Sequence, residues 1–168
     1  YQKAIEIKPN FAEAYYNLGN TFYELLKSEE AAICYQKAIK LNPGLVEAYS
    51  NLGNVFRALR KYKEAVIYHR KAIEIKPDYA EAHLNLASVM RDIGKFKEAE
   101  LSIINAIELN PNCAKAYFSL SSLKYSDDGI KILRKRVFSR SLLDQTSEKD
   151  NIDIYFARAN ILHKEKKY

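Results

Sequence analysis

The chain has 168 residues, 27 Lys and Arg against 21 Asp and Glu, a formal net charge of +6, and 48% hydrophobic residues. That length suits one elongated domain. The absence of any 18-residue apolar run excludes a membrane-spanning helix by sequence, and two cysteines are too few for a disulfide scaffold. All four prolines, Pro9, Pro43, Pro77 and Pro111, stand 34 residues apart, and a period of that length predicts stacked helical repeats.

In chain order, residues 1–11 (YQKAIEIKPNF) read as the tail of a second helix whose first helix is missing, and no Met starts the chain. The sequence is therefore expected to be an excerpt of a longer protein. Three complete units follow at residues 12–45, 46–79 and 80–113. Their first helices are AEAYYNLGNTFYEL, VEAYSNLGNVFRAL and AEAHLNLASVMRDI. Their second helices are SEEAAICYQKAIKL, YKEAVIYHRKAIEI and FKEAELSIINAIEL. Large residues recur at i, i+3, i+4 and i+7, which lays one apolar stripe on each helix. Small residues (Gly19, Gly53 and Ala87; Ala31, Ala65 and Ala99; Ala38, Ala72 and Ala106) fall where two helix axes must approach. Proline ends each second helix by removing an amide donor and restricting the residue before it.

Residues 114–125 (AKAYFSLSSLKY) repeat the first-helix pattern once more, with Tyr117, Leu120 and Ser121 in place. The phase is lost at Ser126-Asp127-Asp128-Gly129, a turn signal. Ile130, Leu133, Val137 and Phe138 have helical spacing and predict one amphipathic helix over 129–143. A polar stretch, 144–148, precedes a further helix expected over 151–166, in which Tyr155, Ala159 and Leu162 fit the first-helix pattern and Arg158 stands at the usual Leu position. The domain reading is thus 1–11, 12–45, 46–79, 80–113, a degenerate fourth unit at 114–143, and 144–168 as linker and first helix of another unit.

The charge is uneven. Residues 1–111 hold 15 basic against 14 acidic side chains, and residues 112–168 hold 12 against 7. Lys131, Arg134, Lys135, Arg136 and Arg140 fall on one expected helix, as a patch for an anionic partner or as a solvated face. No series of aromatic residues interleaves them as nucleic-acid stacking would require, so a nucleic-acid partner is not expected. Cys34 and Cys113 lie in different units and are expected to be free thiols in a reducing cytoplasm. His69, His83 and His163 have no ligand-spaced Cys, His or acid nearby. His69 and His83 occupy positions where packing residues belong. No phosphate-cradling glycine loop is present. The chain is not expected to be an enzyme or to hold a cofactor.

The repeated residues resemble the tetratricopeptide repeat (TPR) family across residues 12–113. The large fourth-position residue is Tyr15, Tyr49 and His83, and the seventh-position Leu is Leu18, Leu52 and Leu86. The resemblance implies an all-α, right-handed superhelical solenoid of antiparallel helix pairs, whose first helices line a concave, peptide-binding groove. The groove positions carried over are Tyr16, Leu84 and Phe118 (fifth), Asn17, Asn51 and Asn85 (sixth), Asn20 and Asn54 (ninth), and Tyr23, Arg57 and Arg91 (twelfth). Ser50 completes the fifth position, and Glu13, Glu47 and Glu81 form an acidic rim.

Asn is an average-to-poor helix former, so its recurrence invites an explanation. A ladder of amides, each both donor and acceptor, would hold a peptide backbone without reading its sequence. A similar ladder marks the repeats of O-GlcNAc transferases. The same asparagines could instead bond between units and tie the superhelix. The chaperone-tail clamp found in some TPR domains is not implied. Asn20 and Asn51 suit it, but Tyr16, Glu81 and Asn85 stand where its cations belong. A frame one unit later lacks them at Ser50 and Ser119.

Residues 114–168 resemble the stretch that leads into the catalytic domain of bacterial TPR–sulfotransferase proteins. This implies an alternative in which the module docks substrates for a larger transferase, sulfotransferase-like in preference to O-GlcNAc-transferase-like. The expected partner is a protein or peptide, with no membrane. End-to-end self-association of a truncated solenoid is a further expectation.

Overall fold

The structure is a computed structural model and describes residues 10–123 and 133–165. The expected tail helix at residues 1–9, the turn at 126–129, and Lys131 lie outside the described residues. Among the described residues there is no strand, and no helix is long and apolar enough to cross a membrane.

Seven helices follow the repeat: α1 (Ala12–Glu24), α2 (Ser28–Leu41), α3 (Val46–Ala58), α4 (Tyr62–Ile75), α5 (Ala80–Asp92), α6 (Phe96–Leu109) and α7 (Ala114–Ser122). Helical backbone at 133–137, α8 (Arg140–Asp144) and α9 (Glu148–Glu165) complete the chain. It divides into two compact units, Tyr1–Val89 and Met90–Tyr168.

Each helix pair turns in three residues, and the backbone shows how. Leu26 N–H donates to the Tyr23 carbonyl and Lys27 N–H to the Phe22 carbonyl. This is the Schellman pattern, which satisfies the last carbonyls of α1 and needs a left-handed residue between. Leu26 supplies it at φ 59°, Arg60 does the same for α3 at φ 59°, and Gly94 does so for α5 at φ 78°. Lys27, Lys61 and Lys95 then stand as N-caps of the second helices without a side-chain cap. Acidic residues in the first turns (Glu29 and Glu30, Glu64, Glu98) complement the helix dipole instead. At the other end, Asn42, Lys76 and Asn110 precede the prolines in extended conformation at ψ 92°, 89° and 89°, as a pre-proline residue must.

In the first unit, α2 packs between α1 and α3, and α4 pairs with α3. One apolar cluster joins Ala31, Ala32, Tyr35, Leu52 and Val55, with Phe22 and Phe56 packed on it. A second joins Val46, Tyr49, Ala72 and Ala82. The expected small residues Ala31, Ala38, Ala65 and Ala72 are fully buried. Gly19 and Gly53 are required by close approach. A Cβ on Gly19 would lie 2.7 Å from the Tyr35 ring, and one on Gly53 would lie 2.6 Å from the His69 ring.

In the second unit, Ala99, Ala106, Ala116, Tyr117 and Leu120 are buried, and α7 packs against both α6 and α9. Two expectations need correction here. The amphipathic helix over 129–143 is not continuous in its described part. It breaks at Ser139, whose extended backbone and hydroxyl, accepting from Leu142 N–H, start α8 afresh. The last helix begins earlier than expected and turns a different face inward. Ile154, Ala157 and Ile161 are buried, whereas Tyr155, Ala159 and Leu162 are exposed. The reason is steric and polar. The Ile154 stripe has a small residue at its centre, and Arg158 stays half-buried, donating from Nε to the Val137 carbonyl at 2.8 Å. Its guanidinium also lies over the Phe138 and Tyr155 rings, 5.7 Å from each. Ser147 opens the helix by accepting from Asp150 N–H at 3.1 Å.

Candidate binding face of the first helices

The first helices of the first unit are joined by side-chain amides. Asn51 on α3 donates from Nδ2 to Asn20 Oδ1 on α1 at 2.9 Å, and its Nδ2 lies 3.4 Å from the Tyr16 hydroxyl. Tyr35, fully buried on α2, reaches the same atom, its hydroxyl donating to Asn20 Oδ1 at 2.7 Å. Burial, with the neighbouring Tyr16, pushes the Tyr35 phenol well above its ordinary range, so it remains a protonated donor. At the next junction Asn85 on α5 donates from Nδ2 to Ser50 Oγ on α3 at 3.1 Å. Two of the three sixth-position asparagines, Asn51 and Asn85, therefore bond to the preceding first helix.

Capacity remains after these bonds. An amide offers two N–H donors and a carbonyl with two lone pairs. The carbonyls of Asn51 and Asn85 accept nothing among the described residues, and the Asn20 NH2 group donates to nothing there. Asn17 and Asn54 are half-buried, with side-chain amides that make no hydrogen bond among the described residues. The same motif positions thus both tie helices together and keep hydrogen-bonding groups unused.

Other expected groove residues behave differently. Tyr16 is half-buried against Tyr35, their ring centroids 6.0 Å apart. Tyr23 is exposed and Arg57 half-buried. Leu84, expected to line the groove, is buried with only 7% exposure, because an apolar side chain there is covered and not presented. Ser50 is buried too, as the acceptor for Asn85. Arg91 and Phe118 fall in the second unit, where Arg91 is exposed and Phe118 packs edge-on against Phe156 at 6.2 Å. Of the basic patch, Arg134, Lys135 and Arg136 are exposed on helical backbone, and Arg134 and Lys135 line a crevice with Phe138 and Leu162. The Arg140 side chain lies outside the described ones.

The residue that sequence reasoning missed is Tyr35. It sits on a second helix, away from the positions where groove residues were sought. The signal was present: the bulkiest residue of α2 lies in register with the smallest of α1, Gly19. His69 holds the same place in the next repeat. It is fully buried, and neither ring nitrogen has a hydrogen-bond partner among the described residues. Burial, then the Arg57 charge, pushes its pKa down to about 4. His83 is half-buried and its Nε2 lies 3.1 Å from the Pro77 carbonyl. The Tyr117 hydroxyl makes the same contact, donating to the Pro111 carbonyl at 2.7 Å. Cys34 and Cys113 are free thiols. Among the described residues no cluster of His, Cys, Asp and Glu is placed to hold a metal ion.

Among solved structures, the crystal structure of MamA covers 100% of this chain and 88% of its own at 22% identity and TM-score 0.68. The Arabidopsis OM64 TPR domain covers 74% of this chain and 94% of its own at 26% identity and TM-score 0.61. The first TPR of Spaghetti (RPAP3), bound to the HSP90 peptide SRMEEVD, covers 74% and 88% at 22% identity and TM-score 0.59. These likenesses concern the fold. No curated protein matches the chain. Family models for the tetratricopeptide repeat match residues 12–45 and 46–79, and a further one matches residues 80–113. With three consecutive matched units spanning more than half its length, the chain belongs to the tetratricopeptide repeat family.

Proposed function

We propose that the first-helix face of the first unit binds an extended peptide segment of a protein partner, chiefly through the partner's backbone. The observation that carries this reading is the set of unused amide groups on Asn17, Asn20, Asn51, Asn54 and Asn85. A peptide backbone has one donor and one acceptor per residue and needs both kinds. The RPAP3 domain of the same fold holds a peptide, which makes a peptide a reasonable occupant here. A chaperone tail is not the peptide proposed, because Tyr16, Glu81 and Asn85 replace the cations that grip its carboxylate. Tyr23 and Arg57 would add side-chain contacts of the kind that anchor interfaces.

The test is titration of the protein with the tightest decapeptide selected from an immobilised random library. Replacing Asn17, Asn51 and Asn85 together by Ala is expected to weaken binding by about tenfold or more, with far-UV helicity retained. Unchanged affinity in a folded triple variant would make the asparagines purely architectural.

A second reading draws on the departure of α8 and α9 from the 34-residue pattern. Here the face presents substrates to an attached transferase domain, sulfotransferase-like in preference to O-GlcNAc-transferase-like. Attachment is tested on the gene downstream of the codon for Tyr168: a stop codon or further repeats would remove it.

A further inference from the structure

We propose that the crevice between the helical segment 133–137 and α9 is a second docking site, which takes an acidic amphipathic helix of a protein partner. The site lies within the second unit and does not depend on the peptide-binding reading of the first. Its walls follow from how the two elements are seated. Leu133 and Val137, one helical turn apart, are fully buried and fix which way the segment faces. Arg134 and Phe138 share the next face by the same spacing, and with Lys135 they are exposed. On α9, Ile154, Ala157 and Ile161 are buried, which turns Leu162 outward. Arg158 joins the walls, donating from Nε to the Val137 carbonyl at 2.8 Å, a carbonyl at a helix end. Between the walls is a crevice of about 410 Å³ lined by Arg134, Lys135, Phe138 and Leu162.

Two properties of this crevice select its occupant. The first is charge. Residues 133–143 and 154–164 together hold six Lys and Arg and no Asp or Glu, so neither stretch neutralises itself and both attract acidic groups. Arg beside a cleft can also grip a carboxylate with two parallel hydrogen bonds. The second is apolar surface. Phe138 is 42% exposed and Leu162 49%, and large apolar groups grouped in a cleft with a polar rim mark a place of contact. A small inorganic anion would meet the cations and leave Phe138 and Leu162 in water. A nucleic acid would stack bases on aromatic faces, but Phe138 already has the Arg158 guanidinium over its ring, 5.7 Å from the centroid. An amphipathic helix presents apolar side chains at i, i+3, i+4 and i+7 with carboxylates beside them, which answers both properties at once. The volume suits a few anchoring side chains, not a folded surface.

The test uses the full chain and a fluorescent synthetic peptide with Leu and Phe at i, i+3, i+4 and i+7 and Glu at the remaining positions. Anisotropy at low salt is expected to show saturable binding that weakens as salt is added. Arg134→Gln and Lys135→Gln together are expected to weaken it about fivefold, and Leu162→Ser by a similar factor. All three side chains are exposed, so far-UV helicity is expected to be retained. The Asn17, Asn51 and Asn85 triple Ala variant is expected to bind this peptide as the wild type does, which separates the crevice from the first-unit face. Absence of binding overturns the proposal, as does unchanged affinity in either crevice variant. Equal affinity for a peptide with Ala in place of Leu and Phe would reduce the site to bare charge and overturn it too. Tighter binding of a DNA duplex, or of vesicles rich in phosphatidylserine, would assign the patch to that class instead.

Discussion

Gly19 and Gly53 are each set against a ring. A Cβ at Gly19 would press on Tyr35 Cε1 at 2.7 Å. Gly19→Ala is therefore expected to destabilise by about 1–3 kcal/mol through overpacking, despite the better helix propensity of Ala. Urea unfolding measures this, and a neutral result would mean that Tyr35 yields easily. His69 gives a pH-dependent counterpart. Its proton is taken up near the ordinary 6.5 in the unfolded chain but only near 4 in the folded one. The contribution is complete above pH 6.5 and is lost as pH falls toward 4, amounting to about 3 kcal/mol over that span. Unfolding at pH 7 and pH 4.5 should show a smaller difference for His69→Tyr than for the wild type. Equal differences would contradict the neutral buried imidazole.

At the scale of elements, the helix pairs were legible because each boundary has a local cause. The second helices fall on the residues expected, bounded by a left-handed turn before and a proline after. The left-handed residue itself was not legible in two repeats, since Leu26 and Arg60 are not left-handed formers. For an L side chain this conformation costs about 1–2 kcal/mol. Leu26→Gly and Arg60→Gly, matching Gly94, are each expected to raise stability by about 0.5–1 kcal/mol after the extra chain entropy of glycine is subtracted. Thermal unfolding of each variant decides it, and a lowered midpoint would mean that the turn is unstrained. The later elements were misread for equally local reasons. Ser139 looks like any surface serine until its hydroxyl is seen to cap α8. The helix α9 offers two apolar stripes in sequence, and only packing on α7 selects Ile154, Ala157 and Ile161 over Tyr155 and Leu162.

For the whole molecule, the repeat period announces the architecture, and the family match agrees with it. The fate of the asparagines was open in the sequence. Their partners lie on neighbouring helices, about one repeat away, and the choice turned on side-chain reach. Asn51 finds an asparagine and a tyrosine, while Asn85 finds a serine. At Asn51 and Asn85 the tie uses the NH2 group and leaves the carbonyl unused among the described residues, which is what the proposed binding requires. The second unit keeps its own version of the tie, with Asn160 donating to Ser121 Oγ at 3.1 Å.

The central claim is that this face reads peptide backbone. The most direct measurement is the affinity of a library-selected decapeptide compared with versions N-methylated at one amide at a time. The account predicts a loss of about tenfold at the amides that donate to Asn51 and Asn85, with smaller losses when single side chains are cut to Ala. Insensitivity to N-methylation at every position, with large losses confined to side-chain truncations, would contradict it.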